Sequence, residues 1–540
     1  MSHIPLPTTW PSNVSQLTHS ASHSYATWLL GSLLLLICFQ NLVYPKRNPR
    51  RLPHPPGPPR YPIIGNALNI PLKFQWKVFS QWSKLYGDYR RFSVSRGDMI
   101  YMEILNQPVL VLNSVRRIED LLEKRSALYS DRPTAPMLRE LMGWKNLFVC
   151  MDQGPRWRLH RKTFVQHFAA SIVHKYRPLH LDTIDRLIHR LSLSPDNVVH
   201  EVHLHATSLV ARLMYGIDIT KDTTYTHLID SIVASFEQAA TPGRFLVDIF
   251  PSLQYIPAWM PGAYFRRFGE GARELLDRLQ EHPFRLVEER MAQGKADPCV
   301  ASDMIERLPP LSDPTRGDTE EMFRQVASTA HIAGGDTSFS AMRTFLYAMS
   351  THPDIQRKAQ QEIDREVDAG RLPIFEDRDR LPYVNALVRE VLRWVTVVPF
   401  AFPHVLSQDD EYDGYFIPKG TLVLPNSWAV QHDSQAYDNP FNFDPDRFFE
   451  SSGNTGTKFV QPLDPGVSAA FGYGRRICPG IYFATDTLYI FCASMLAAYD
   501  VLPDSSLEGH GENLSLLDGL LSGVESFKCS VRPRAGRSRI

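Results

Sequence analysis

The chain has 540 residues, 43% of them hydrophobic and 21% charged, the profile of a folded protein with a large core rather than a disordered one. Lys+Arg and Asp+Glu both total 58, for a formal net charge of zero, which removes any global electrostatic case for a nucleic-acid partner. Its six cysteines, Cys38, Cys150, Cys299, Cys478, Cys492 and Cys529, contain no C-x-x-C pair, which argues against a zinc ribbon, a redox dithiol or a disulfide scaffold.

Tyr25 to Tyr44 is an uncharged run of 20 residues, long enough as a helix to cross a hydrocarbon core of about 30 Å. Trp28 and Tyr44 suit the two interfaces, and no Lys or Arg precedes Lys46, after which Arg47, Arg50 and Arg51 follow closely. The positive-inside rule then puts residues 1–24 in the lumen and the rest in the cytosol. A cleaved signal peptide is the rival reading, but it wants a basic leader that is absent here. Asn13-Val14-Ser15 is a glycosylation sequon on the expected lumenal side. Pro53 to Pro59 adds a stiff proline-rich spacer. The expected organisation is a lumenal 1–24, an anchor at 25–44, a basic and proline-rich hinge at 45–60, and a catalytic body at 61–540.

Beyond the hinge the pattern is mostly helical. Apolar residues recur at three- and four-residue spacing over 74–86, 115–129, 155–168 and 270–291. Short extended stretches are expected at 99–103, 108–112 and 421–426. Residues 463–474 read as loop, followed by a helix from about Pro479 to Ala498. This predicts a mainly α body with small β-sheets.

The strongest signal is Phe471-Gly472-Tyr473-Gly474-Arg475-Arg476-Ile477-Cys478-Pro479-Gly480. Gly472 and Gly474 permit tight turns and close approach to a flat ligand. Cys478 just before a helix start has backbone N–H groups and a dipole that favour a thiolate, and Arg476 is placed to meet an anion. A lone buried structural cysteine is the bland alternative. The string resembles the haem-binding pattern F-x-x-G-x-x-x-C-x-G of the cytochrome P450 family at every fixed position. The resemblance implies haem b with Cys478 as the axial iron ligand. It also implies Arg476 on a haem propionate, and Phe471 and Gly472 packed near the sulfur.

Upstream, a long helix is expected from Asp318 to Ser350, opened by a capping box of Asp318 and Glu321. In its middle lies Ala333-Gly334-Gly335-Asp336-Thr337-Ser338. Two glycines inside a helix cost roughly 1 kcal/mol each relative to alanine. That cost suggests close approach of a ligand to the backbone at Gly334, or a local opening of the helix as at a π-bulge. The segment is similar to the family's oxygen-activation sequence. On that resemblance Thr337 holds the bound oxygen's protons and Asp336 relays them from solvent.

Glu390 and Arg393 share a helix face at i, i+3. E-x-x-R, then Pro445-Asp446-Arg447-Phe448, then the cysteine loop is the family's order, which implies a structural network of Glu390, Arg393 and Arg447. Trp157 and Arg161 resemble the family's W-x-x-x-R, and His404 falls where it often has a second propionate ligand.

The resemblance is closest to fungal microsomal members and implies a haem-thiolate monooxygenase of the endoplasmic reticulum membrane. Rivals are a peroxide-using or rearranging haem-thiolate enzyme and a non-catalytic haem protein. With no Rossmann or flavin fingerprint in the chain, electrons are expected from NADPH-cytochrome P450 reductase, with cytochrome b5 as a further partner. Lys145, Arg156, Arg158, Lys162 and Arg475 are candidates for the reductase-facing patch. A lipophilic substrate, plausible in secondary metabolism, is expected to meet residues 133–149, Ala330, Ala333 and 397–402.

Overall fold

The computed structural model describes residues 48–86, 98–219, 223–241, 243–452, 456–459, 465–504 and 514–535. The expected lumenal segment, membrane anchor and sequon lie outside the described residues. The chain divides into two compact units, Met1–Pro53 with Glu411–Phe416, and His54–Asp410 with Ile417–Ile540. In the first, Arg50 pairs with Glu411 at 2.8 Å and Phe416 N–H donates to the Pro53 carbonyl at 2.9 Å.

The second unit is mainly helical, with small sheets. Pro155–Phe168 matches its expected bounds, and Pro382–Trp394 is the helix that carries Glu390 and Arg393. Both begin on proline, whose missing N–H costs nothing in a first turn. The expected 115–129 helix is instead a four-residue α-turn, Val115–Ile118, running into wider π-type turns over Glu119–Lys124. Gln75–Leu85 and Tyr264–Ala292 complete the segments read from periodicity.

The central helix runs over Arg316–Thr351, 36 residues. It starts at Arg316, two residues before the expected capping box, with Thr315 as its N-cap, whose N–H and hydroxyl are both held by Asp313. It is α-helical throughout, so the glycines do not open it into a π-bulge. Val198–Tyr215 lies along it. A Cβ on Gly334 would meet Val210 Cγ2 at 3.1 Å, and one on Gly335 would reach Thr207. The two glycines thus let a neighbouring helix approach, which is a packing reason for their cost.

Ile481–Ala498 is, among the described residues, the one helix apolar and long enough to cross a membrane. It is a core helix: Tyr489, Phe491, Cys492 and Leu496 are fully buried against the central helix and Pro382–Trp394. Apolar on all sides, it is surrounded by protein.

A four-stranded sheet orders Met99–Ile104, Gln107–Leu112, Leu422–Pro425 and His404–Val405. The first pair is antiparallel, Val109 opposes Leu422 in a parallel pair, and His404 opposes Val423. This last pairing fixes where His404 points.

Candidate active site

The segment from Ala469 to Gly480 is a series of tight turns, and two glycines make it possible. Gly472 has φ 78° and ψ −167°, a region open essentially to glycine alone. Gly474 has φ +57°, and a Cβ there would lie 2.0 Å from the Leu122 carbonyl oxygen. Its N–H donates to Glu123 Oε1 at 2.6 Å. The turns bring the Cys478 N–H back to the Phe471 carbonyl at 2.7 Å. The helix that follows begins at Ile481, two residues later than expected, with Gly480 as its N-cap.

Cys478 lines a cavity with about 1660 Å³ of empty space, counting the part open to solvent. Burial pushes its thiol up from the ordinary value, and the Gly480 N–H and the Arg161 charge pull the other way without winning. The Gly480 N–H thus acts in the direction expected of the helix start, against the burial of the sulfur.

One edge of the same cavity is strongly basic. Arg476 is buried and donates to the carbonyls of Ser130, Phe148 and Met151 at 2.8, 3.3 and 2.6 Å. Its guanidinium stacks 4.4 Å over the Trp157 ring. Burial, with Arg132 beside it, pushes Arg476 down to about 9. Arg161 donates to the Ile477 carbonyl at 2.8 Å. Arg132, which sequence reasoning did not single out, donates to the carbonyls of Val149, Phe402 and Pro403 and lines the cavity. His404 is fully buried, with Nδ1 2.6 Å from the Tyr129 carbonyl. Burial and Arg132 push it down to about 3. Because a carbonyl can only accept, Nδ1 carries the proton, so in the neutral ring Nε2 is an acceptor and donates to an anion only when the ring itself is protonated.

The central helix presents Ala330, Ala333, Gly334 and Thr337 to the cavity. Thr337 Oγ1 donates to the Ala333 carbonyl at 2.7 Å. Asp336 lies outside the lining, with its carboxylate 3.7 Å from His203 Nε2. Phe148, Val149, Val397, Val398, Ala401 and Phe402 line the cavity as well. Of the other stretches expected to meet substrate, 133–147 does not reach the lining, and Phe400 packs on Trp76 and Phe79 instead. The helix Val198–Tyr215 contributes Val210, Leu213 and Met214, which no sequence motif marked.

Behind the cysteine loop, Glu390 takes two hydrogen bonds from Arg393, both at 2.7 Å, and one from Arg447 at 3.1 Å. Arg393 also donates to the Gln431, Pro440 and Asn442 carbonyls. Asp446 is outside this network and pairs with Lys358 at the surface.

Comparison with known proteins decides the family. The pattern described as Cytochrome P450 matches residues 55–518. The chain belongs to the cytochrome P450 family. It is 38% identical to Cytochrome P450 monooxygenase COX2 of Coprinopsis cinerea over 89% of each chain. It is 36% identical to Cytochrome P450 monooxygenase 208 of Postia placenta, covering 94% of this chain and 96% of that one. It is 34% identical to Tryptamine 4-monooxygenase of Psilocybe cyanescens, covering 94% and 97%. The chain is an oxidoreductase, a monooxygenase. The family's cofactor is haem with a cysteine thiolate on its iron, and electrons generally come from NADPH through a reductase.

The cavity of this cytochrome P450 fits that cofactor. None of the guanidiniums of Arg132, Arg161 and Arg476 has a carboxylate within ion-pair distance among the described residues, although they crowd one edge of a single cavity. Buried cations are costly unless paired, so this edge calls for anionic groups such as two carboxylates of a ligand. The buried Trp157 Nε1 has no hydrogen-bond partner either. A soft sulfur on the same cavity suits a thiophilic metal.

Proposed function

We propose that Cys478 Sγ is the axial ligand of haem iron. Arg476, Arg161, Arg132, Trp157 and His404 hold the propionates, and Phe471 and Gly472 frame the sulfur. The observation that carries this is the basic edge without carboxylate partners on the cavity that Cys478 opens onto. Bound there, haem activates O₂ so that one oxygen atom enters the substrate and the other leaves as water. The chain's own part is to bind, orient and deliver protons. Thr337 Oγ1, now spending its hydrogen on the Ala333 carbonyl, can instead hold a proton towards the cavity. Asp336, the preceding residue, replaces it from outside. Gly334 contributes its backbone to the cavity wall and its missing side chain to Val210. Glu390, Arg393 and Arg447 hold the region behind the cysteine loop rigid.

The substrate is lipophilic, in keeping with a substrate-facing lining that includes Phe148, Val149, Val210, Met214, Val397 and Phe402. Its relatives' fungal sources support a place in secondary metabolism. The remaining parts of the reading come from the sequence: an anchor at 25–44, a lumenal 1–24 glycosylated at Asn13, a hinge at 45–60, and a catalytic body at 61–540 facing the cytosol from the endoplasmic reticulum. NADPH-cytochrome P450 reductase, with cytochrome b5 as a second donor, docks beside the cysteine loop. Arg156, Arg158, Lys162 and Arg475 are exposed there, whereas Lys145 is engaged by Glu140 at 2.8 Å.

Reconstitution with reductase, NADPH and ¹⁸O₂ against a panel of lipophilic compounds tests this. Products carrying one ¹⁸O, formed only with both NADPH and reductase, are expected. Turnover with peroxide alone, or product without incorporated oxygen, would favour the rival enzyme classes.

A further inference from the structure

His203 sits on the helix Val198–Tyr215, midway between two carboxylates on two other helices. Its Nε2 is 3.7 Å from Asp336 Oδ1 on the central helix and 4.0 Å from Asp230 Oδ1 on Thr223–Ala240. These are ion-pair distances, one small rotamer change or one bridging water from hydrogen bonds. The imidazole packs against the Phe339 ring with centroids 4.7 Å apart and planes tilted by 54°. Exposure falls along the row: the Asp230 side chain is 46% exposed, those of His203 and Asp336 24% each. Solvent thus meets one end, and the residue before Thr337 is the other.

Electrostatics favour a proton on this imidazole. The Asp336 carboxylate, with Asp230 behind it, holds His203 above its ordinary value against partial burial and the Arg343 charge. The charged and titratable groups facing it are Asp336 and Arg343 from the central helix and Asp230 from Thr223–Ala240. His227 from that helix acts on Asp230, and Glu237 feels Asp336. An ion with an ordinary value near neutrality is suited to passing protons on.

We propose that His203 is a positioning residue that supplies protons to Asp336, taking them up beside Asp230 and passing them from Nε2 to Asp336 Oδ1. The proton leaves Nε2 as the carboxylate gains it. The imidazolium becomes neutral imidazole, solvent restores its proton, and no electron moves. This rests on the reading of Asp336 and Thr337 as the proton-delivering pair.

The first test needs no turnover. In protein labelled with ¹³C at histidine Cε1, the NMR signal lost in His203→Gln titrates above the ordinary histidine value. Asp336→Asn shifts its midpoint down, and Asp230→Asn does so less. A midpoint unmoved by Asp336→Asn overturns the pairing. The second test uses only NADPH, reductase and O₂, and measures how electrons divide between hydrogen peroxide, which needs two protons per O₂, and water, which needs four. His203→Gln is expected to slow NADPH oxidation about tenfold, below the ~10²–10⁴-fold of a group acting directly. It also raises the peroxide share and abolishes the fall in rate as pH rises through the His203 midpoint. Retention of the ferrous carbon-monoxide band certifies that the variant is folded. Full recovery of rate and pH profile in His203→Lys, which keeps charge but does not titrate near neutrality, overturns proton supply. If Asp336→Asn itself changes neither rate nor peroxide share, the underlying reading of Asp336 fails. If Asp336→Asn does so and His203→Gln does not, only the present inference fails.

Discussion

Arg393 meets Glu390 with two parallel hydrogen bonds of 2.7 Å, and neither side chain is exposed to solvent at all. Such a pair is held by its geometry and its completeness: removing one member leaves a buried charge without compensation. Arg393→Ala is therefore expected to cost about 3–5 kcal/mol, read as a lower midpoint in urea unfolding and a fall in folded yield. Arg447→Ala, which removes one bond to Glu390 and leaves the Arg393 pair intact, should cost less. Equal stability of all three proteins would contradict the network.

Gly474 makes a sharper case, because its strain can be read from one contact. A Cβ at φ +57° would sit 2.0 Å from the Leu122 carbonyl, and a backbone oxygen cannot swing aside as a side chain can. Gly474→Ala should destabilise by more than the ~1 kcal/mol of a tolerated glycine change and lower haem content. Gly370→Ala, where a Cβ meets nothing within 4 Å, should leave melting temperature and haem content near the starting values.

The basic edge of the cavity predicts graded loss of haem. Removing one charge-assisted hydrogen bond is worth about 1.5–3 kcal/mol. Arg132→Leu and Arg161→Leu should thus each weaken haem retention roughly ten- to a hundredfold. Transfer of haem to apomyoglobin measures it. Arg476→Ala should be worse than Arg161→Leu, since three carbonyls rather than one lose their donor.

How much of this was legible in the sequence follows from the range of each interaction. The cysteine loop and Glu390–Arg393 were readable because their chemistry lies within ten residues of chain. Arg132 and Met214 were not, since only tertiary packing brings them to the cavity. Gly334 and Gly335 were seen, but their partner, Val210, lies on another helix. The 115–129 segment has helical periodicity, yet its turns widen where Leu122 must pass under Gly474. The Asp336 motif was visible, and His203 was not, since a lone histidine 133 positions upstream carries no local signal.

Buried histidines set the acid limit, and three of them illustrate it. His180 and His331 are pushed down to about 4, and His205 to about 3, by burial in each case. They stay neutral when folded, while in the unfolded chain they take up a proton below about 6.5. The unfolded state thus binds more protons between the two values. The stability they contribute is present above pH 6.5 and is lost as pH falls towards 4, by up to about 1.4 kcal/mol per pH unit for each histidine. Asp248, raised to about 6 by burial, works in the opposite sense. Urea midpoints at pH 7 and pH 5 should show a clear fall. His180→Gln, which keeps a polar side chain beside Thr487, should reduce that fall.

The central claim is that Cys478 binds the haem iron. The ferrous carbon-monoxide difference spectrum of the full-length protein, recorded beside Cys478→Ser, tests it most directly. A strongly red-shifted Soret band in the wild type that is absent from the variant is the predicted result. A wild type without that band, or a variant that keeps it unchanged, would contradict the ligand assignment and the chemistry built on it.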